Sequence, residues 1–329
     1  NYSLLSQRMQ QRLEETLNKG EQAMILLNKR GYASFIKCES CGEPIRCPHC
    51  DVTLTYHKAE NRLKCHLCEY FTSVPQVCPE CGSTHLKKIG YGTQKIEEEL
   101  EKKYPDARII RFDFDTTRNK NTHLKLLKDF EEHKADIMLG TQMIAKGLDF
   151  SNVTFVGVLM ADLSLMVPDF RASERTFQLL CQVAGRSGRG DKQGTVMIQT
   201  FNPEHYAIKA AVKQDYEAFF KEEMLFRKKA KYPPFCHLVS VIVQSRTPKN
   251  VHLTALDISK CLKEHLEKVR IIGPQPAFKM QDIYRERILI KYIESKPIYE
   301  QLSLIDDYYN RTRKGGVIVA CDFNPYSTY

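Results

Sequence analysis

The sequence has no apolar run long enough to span a membrane and no signal peptide. No membrane partner is expected. With Asn1 rather than Met as its first residue, the chain reads as a piece of a larger cytoplasmic protein. It lacks low-complexity tracts, and nothing repeats apart from a set of cysteine pairs. A second absence is chemical. No Gly-x-x-x-x-Gly-Lys-Ser/Thr loop occurs, nor any acidic Asp-Glu-x-His box. Nothing here cradles a nucleotide's phosphates or holds their magnesium, so the chain alone is expected to hydrolyse no ATP.

What is present is unevenly distributed. The 329 residues have room for two or three domains. A net charge of +9 suits a polyanionic partner without naming one. Eight of the 12 cysteines form four Cys-x-x-Cys pairs, Cys38/Cys41, Cys47/Cys50, Cys65/Cys68 and Cys78/Cys81. Two thiolates three residues apart can hold one tetrahedral ion from a tight knuckle, and two knuckles close a four-sulfur zinc site. Eight thiolates therefore make two zinc ions. The 14-residue gap between Cys50 and Cys65 favours pairing the inner knuckles through a hairpin at Val52–Tyr56 and Arg62–Lys64. The outer knuckles then share the second ion in a nested arrangement. A disulfide cluster or a redox motif is the alternative, but fourfold repetition is a ligand pattern. His49, His57, His66 and His85 are near enough to substitute, yet eight cysteines leave no vacancy. Cys181, Cys236, Cys261 and Cys321 are scattered and read as reduced buried thiols.

Around the cysteines, helix-like and strand-like segments alternate. Helical spacing covers Leu4–Leu17, and strand-like runs follow at Ala23–Leu27 and Tyr32–Ile36. After the cysteines come helices at Gln94–Lys103, Thr122–His133 and Ala172–Ala184. Strands are expected at Ala107–Phe114, Ala135–Leu139, Val153–Leu159 and Thr195–Gln199. Apolar strands alternating with amphipathic helices imply a parallel α/β sheet, with the cysteine module inserted into it. Two charged helices, Glu204–Lys213 and Asp215–Lys229, lead to Tyr232-Pro233-Pro234. A βαββαβ series follows: His237–Gln244, Asn250–Lys268, Ile271–Gly273, Ile288–Tyr292, Pro297–Arg311 and Gly316–Cys321. That order predicts a small ferredoxin-like α+β domain.

Two strings carry chemistry. In Gln182-Val183-Ala184-Gly185-Arg186-Ser187-Gly188-Arg189, paired arginines among small residues can approach a phosphate chain and neutralise charge on a transferred phosphoryl group. A basic helix end is the plainer account of either arginine alone. The second string, Gly140 to Phe150, follows the Ile137–Leu139 run, and ligands bind at the carboxyl ends of parallel strands. Thr141 and Gln142 can contact a nucleic-acid backbone there or transmit the nucleotide state, and Asp149 can orient a ribose, a water or the arginine pair; an ordinary strand–loop connection is the plainer account of this string alone. Lys87-Lys88, Lys102-Lys103 and Arg227-Lys228-Lys229 read as solvated faces, and Asp113-Phe114-Asp115 as a turn. Tyr104, Tyr232 and Tyr284 read as packing residues.

Together these strings resemble motifs V and VI in the second motor lobe of superfamily 2 helicases. With the eight inserted cysteines, Leu27–Ala33, Gly90–Thr93, Asp113–Thr117, Tyr232-Pro233-Pro234, Ile272–Ala277 and Tyr284-Arg285, essentially the whole chain resembles the C-terminal half of the PriA family. These are the primosomal replication-restart helicases, also called primosomal protein N′. The resemblance implies a RecA-like helicase lobe at 1–37 and 87–202 and a double-zinc insertion at 38–86. A helical connector at 203–236 and a C-terminal DNA-binding domain at 237–329 follow. It also implies an ATP-dependent 3′-to-5′ DNA helicase in the intact protein, using ATP and Mg²⁺ with a first lobe this chain lacks. Arg189 and Arg186 would be catalytic, with Gln182 and Asp149 also at the nucleotide. Thr141, Gln142 and Lys146 would contact DNA. Expected partners are forked and single-stranded DNA, single-stranded-DNA-binding protein, and primosome and helicase-loading proteins, in a cytoplasmic, nucleoid-associated, bacterial setting. Two departures matter: Gln94 stands where the family commonly has Glu, and Glu286 where it often has an aromatic, which removes a base-stacking platform there. The rival readings are a zinc-ribbon nucleic-acid adaptor with a degenerate helicase lobe, and another superfamily 2 branched-DNA translocase.

Overall fold

In chain order, α1 (Gln7–Asn18) and β1 (Gln22–Leu27) precede the cysteine module. Between β1 and α2 in sequence lie β2 (Phe35–Cys38), β3 (Thr55–His57), β4 (Arg62–Lys64), β5 (Phe71–Ser73) and β6 (Leu86–Ile89). Then come α2 (Thr93–Lys103), β7 (Ile109–Phe112), α3 (Lys120–Glu131), β8 (Ile137–Gly140), β9 (Val153–Leu159), α4 (Ala172–Ala184) and β10 (Thr195–Ile198). Two helices, α5 (Tyr206–Lys213) and α6 (Tyr216–Ala230), lead to β11 (His237–Ser245), α7 (Pro248–His265), β12 (Arg270–Met280), β13 (Ile283–Tyr292), α8 (Ser295–Thr312) and β14 (Ile318–Phe323). The computed structural model describes residues 4–28, 35–50, 52–57, 61–65, 68–89, 93–113, 120–145, 150–167, 169–185, 193–312 and 316–326. They divide into two compact units: 1–33, 90–167 and 171–223 in one, and 34–89, 168–170 and 224–329 in the other.

The first unit is built on a parallel five-stranded sheet of order β10-β9-β1-β8-β7. Every residue of β1, β8 and β9 is buried, as expected of mainly apolar strands when helices cover both sheet faces; the polar exceptions, Gln22 and Thr154, are hydrogen-bonded to Phe130 O and Ala135 O and to Glu21. Alternation sorts the side chains. Ala23, Ile25 and Leu27 meet Met9 and Leu13 of α1 and Ile96 and Leu100 of α2. Met24 and Leu26 meet the opposite cluster, with Phe130 of α3 and Phe177 and Leu180 of α4. Helix α1 starts where Ser6 accepts a hydrogen bond from the Met9 amide, and it buries Met9, Leu13 and Thr16 along one stripe.

In the second unit, β2 and β6 pair antiparallel with Cys38 opposite Leu86, so the chain enters and leaves the module side by side. A three-stranded antiparallel sheet, β3-β4-β5, lies between them in sequence. The β3–β4 hairpin matches expectation, whereas β5 has no counterpart in the sequence reading. The terminal domain is an antiparallel sheet of order β12-β13-β11-β14 in a βαββαβ chain, the ferredoxin-like arrangement. Its core packs Val239, Val241 and Val243 against α7 and α8. The expected short strands Ile271–Gly273 and Ile288–Tyr292 are corrected to β12 and β13, a long hairpin from Arg270 to Tyr292.

Candidate functional site

The eight cysteines form two groups, Cys38/Cys41/Cys78/Cys81 and Cys47/Cys50/Cys65/Cys68, with all ligand atoms of each group within 4.8 Å of one another. Local turns aim the sulfurs. The Gly42 amide donates to Cys38 O, Glu69 to Cys65 O and Gly82 to Cys78 O. Gly42, Glu69 and Gly82, each following the second cysteine of its knuckle, have φ of +82°, +61° and +71°. Glycine suits this left-handed turn because it has no Cβ to clash. The sulfurs are free thiols, spaced 3.6 Å between Cys38 and Cys81, 3.7 Å between Cys41 and Cys78 and 3.6 Å between Cys47 and Cys68. A tetrahedron with zinc–sulfur arms of ~2.3 Å has edges of ~3.8 Å, whereas a disulfide would need ~2.05 Å. The two clusters fit Zn²⁺. They differ in exposure: Cys47, Cys50 and Cys65 are buried and Cys68 half-buried, while Cys41 and Cys81 of the outer group are exposed. The Cys41 backbone amide leads the hydrogen bonds that draw the Cys38 thiol down to about 6. Burial is the main cause pushing Cys47 up to about 12. Of the four scattered cysteines expected to be buried, Cys236 is buried, whereas Cys181, Cys261 and Cys321 are half-buried.

A polar network occupies the carboxyl ends of the parallel strands in the first unit. Asn28, directly after β1 and 1% exposed, donates through Nδ2 to Ala161 O at 2.9 Å and Ser164 Oγ at 2.8 Å. Its Oδ1 accepts from Gln142 Nε2 at 3.2 Å, and Ser164 Oγ lies 2.7 Å from Thr176 Oγ1 on α4. The expected DNA contacts Thr141 and Gln142 thus follow β8 directly and are half-buried. Gly140 ends β8 with no room for a side chain, since a Cβ would stand 2.4 Å from Phe112 O and 2.7 Å from Ile144 Cγ2. Gln182 is exposed on the last turn of α4. Arg186, Arg189, Asp149 and Lys146 lie outside the described residues. Asn28, Ser164 and Thr176 were missed by sequence reasoning. Asn28 stands inside the Leu27–Ala33 string, but an asparagine beside Lys-Arg-Gly signals a turn rather than a buried hub.

Asp113 lies in a polar cluster at the end of β7. It accepts from Thr93 Oγ1 at 2.6 Å and pairs with Arg111 at 2.9 Å, and Arg111 also reaches Glu97 at 2.6 Å. Gln94 is half-buried in the first turn of α2. Glu286 pairs with His252 at 2.9 Å. Within Arg227-Lys228-Lys229, the solvated-face reading fails for Arg227. It is 8% exposed, lies 5.0 Å from the Phe170 ring centroid and donates to Pro233 O at 3.3 Å. Lys87 pairs with Glu39 at 2.6 Å, and Lys88 donates to Tyr56 OH at 2.8 Å. Tyr232 stacks on Phe170 at 4.8 Å with Lys291 over its ring. Residues 224–329 hold 18 Lys and Arg against 10 Asp and Glu, a +8 share of the chain's +9.

Three family models match. The PriA DNA helicase Cys-rich region domain covers residues 47–71, the helicase conserved C-terminal domain 85–191, and the primosomal protein N C-terminal domain 228–326. Replication restart protein PriA of Bacillus subtilis (strain 168) is 48% identical over 99% of this chain and 41% of its own length. The protein of that name from Chlamydia pneumoniae is 43% identical over 91% and 41%. That from Synechocystis sp. is 42% identical over 89% and 36%. The chain spans about two-fifths of the length of these relatives.

Proposed function

The chain belongs to the PriA family of replication restart proteins, and from that premise we propose that it is the C-terminal part of an ATP-dependent 3′-to-5′ DNA helicase. The intact protein recognises stalled or branched forks and restarts replication by primosome assembly. Residues 1–37 and 87–202 form its second RecA-like lobe, and 38–86 a double-zinc insertion. A helical connector (203–236) leads to a DNA-binding domain at 237–329. One observation carries the reading. Two nested four-cysteine clusters occur between β1 and α2 of a parallel sheet whose strand-end loops hold Thr141 and Gln142.

Cys38, Cys41, Cys78 and Cys81 hold one zinc, and Cys47, Cys50, Cys65 and Cys68 the other. The metal supplies a four-way cross-link in a module whose own strands are three or four residues long. Arg189, with Arg186 beside it, neutralises charge on nucleotide phosphates held by a preceding lobe with Mg²⁺, and Gln182 and Asp149 orient that group. Thr141, Gln142 and Lys146 contact the DNA backbone. Gln142 links that contact to β1 through Asn28. The positive charge of residues 224–329 supports a role in holding DNA. Single-stranded-DNA-binding protein and helicase-loading proteins are its partners, in a bacterial, nucleoid-associated setting. Neither the relatives nor the family matches support the adaptor or the other-translocase reading.

The test compares this chain alone with the same chain joined to its phosphate-binding lobe. Two zinc ions per chain and no ATP turnover are expected for the fragment, and DNA-stimulated turnover for the joined protein. Turnover by the fragment, or none after joining, contradicts the reading.

A further inference from the structure

The β12–β13 turn grips the knuckle around Cys50. The Gln281 backbone N–H donates to Cys50 Sγ at 3.4 Å. The Asp282 N–H donates to His49 O at 3.0 Å, and Lys279 Nζ donates to Pro48 O at 2.8 Å. The Asp282 carboxylate lies 2.8 Å from His49 Nδ1, and Met280 packs against the module's apolar cluster, which includes Cys50 and Leu63. Met280 pairs with Ile283 across a two-residue turn. Both turn residues are left-handed, with φ of +54° at Gln281 and +59° at Asp282. Hairpins favour that turn form, but with Asn-Gly or Asp-Gly. Gln-Asp lacks the glycine, so contacts made by the turn contribute to holding it.

An N–H aimed at a metal-bound thiolate stabilises the sulfur's negative charge, and such outer contacts orient the ligands they touch. We infer that the 279–282 turn is the outer wall of the inner metal site, so that zinc at Cys47/Cys50/Cys65/Cys68 and docking of the hairpin on the module are coupled. This rests on reading the inner cluster as a zinc site. Coupling is reciprocal: metal holds the turn in place, and the turn slows loss of the metal. The turn's hydrogen bonds to the module fall on residues 48–50, which leaves the outer cluster as an internal control. A cleft of about 450 Å³ at the seam is bordered by Cys68, His49, Gln281 and Asp282 and gives a chelator a route to the half-buried Cys68.

The test uses the full chain loaded with zinc and a chromophoric chelator to follow release. The double variant Lys279→Ala/Asp282→Ala keeps all eight cysteines, so it removes no ligand. It should release inner-site zinc about tenfold faster or more, the scale of a lost outer-shell contact, with outer-site release unchanged. Deuterium exchange at residues 279–283 should rise in Cys68→Ser and stay unchanged in Cys41→Ser. Coupling requires both responses, and the absence of either overturns it. Fewer than two zinc ions on the unsubstituted chain would overturn the zinc reading itself and the coupling with it. Two ions with no response in the hairpin would overturn the coupling alone.

Discussion

The Gln142 side-chain amide donates to Asn28 Oδ1 at 3.2 Å, tying the loop after β8 to the end of β1. Asn28 in turn holds Ala161 O and Ser164 Oγ. Asn28→Ala strands these buried groups, and an unsatisfied buried donor or acceptor costs about 1–3 kcal/mol. The variant should lower the unfolding free energy of the parallel-sheet unit by that amount, seen as a lower urea midpoint at an unchanged denaturant slope. An unchanged midpoint would show that the network carries no stability.

Gly140→Ala tests the closest approach in the sheet. Its Cβ meets the Phe112 carbonyl oxygen at 2.4 Å, and backbone cannot swing aside as a flexible side chain can. Overpacking of this kind costs about 1–3 kcal/mol. Thermal unfolding should occur at a lower temperature, with the far-ultraviolet spectrum of the folded state retained. A variant as stable as the parent would contradict the packing described.

Metal removal should proceed in order. Cys41 and Cys81 are exposed and the inner cluster is mostly buried, so a chelator should take the outer zinc first. Structural zinc contributes roughly 10–16 kcal/mol in small zinc peptides. Loss of both ions should therefore unfold residues 38–86 and largely spare the parallel sheet, with acid helping because ligand thiolates must be deprotonated. Circular dichroism during chelation that shows one melting step for the whole chain would contradict an inserted module.

Asp162 gives the first unit an acid-sensitive joint. Burial opposes its charge, but hydrogen bonds from Thr200 Oγ1 and from the Phe201 and Asn202 amides outweigh burial and hold its carboxyl below the usual range. A lowered folded value means the carboxylate's contribution is present above the unfolded pKa of ~3.9 and is lost as pH falls through the folded value. The stability gap between parent and Asp162→Asn should be full near neutrality and shrink below pH ~4. A gap that stays constant into acid would remove this assignment.

The cysteine pairing and the buried strands were legible because their signals are local. Three of the Cys-x-x-Cys knuckles are closed by their own backbone turns among the described residues, and Ala23–Leu27 and, Thr154 apart, Val153–Leu159 are apolar since helices cover both faces. Strand β12 was cut short in the sequence reading by Gly273, Pro274 and Pro276. It is an edge strand, where proline's missing N–H is tolerated. Arg227 looked solvated because Phe170 and the Pro233 carbonyl, which make its site, come from other segments. The turn at Gln281 carries no sequence signal, because its partner is the distant Cys50 knuckle. Arg186, Arg189, Asp149 and Lys146 lie outside the described residues, and their roles stand on the motif pattern.

DNA-stimulated ATP hydrolysis by the intact protein, with Arg189 against Arg189→Ala, tests the motor-lobe assignment most directly. Zinc content and forked-DNA affinity are to be matched between the two. A loss of about 10³-fold or more, the scale of an arginine finger, is predicted. Unaltered turnover would contradict the assignment.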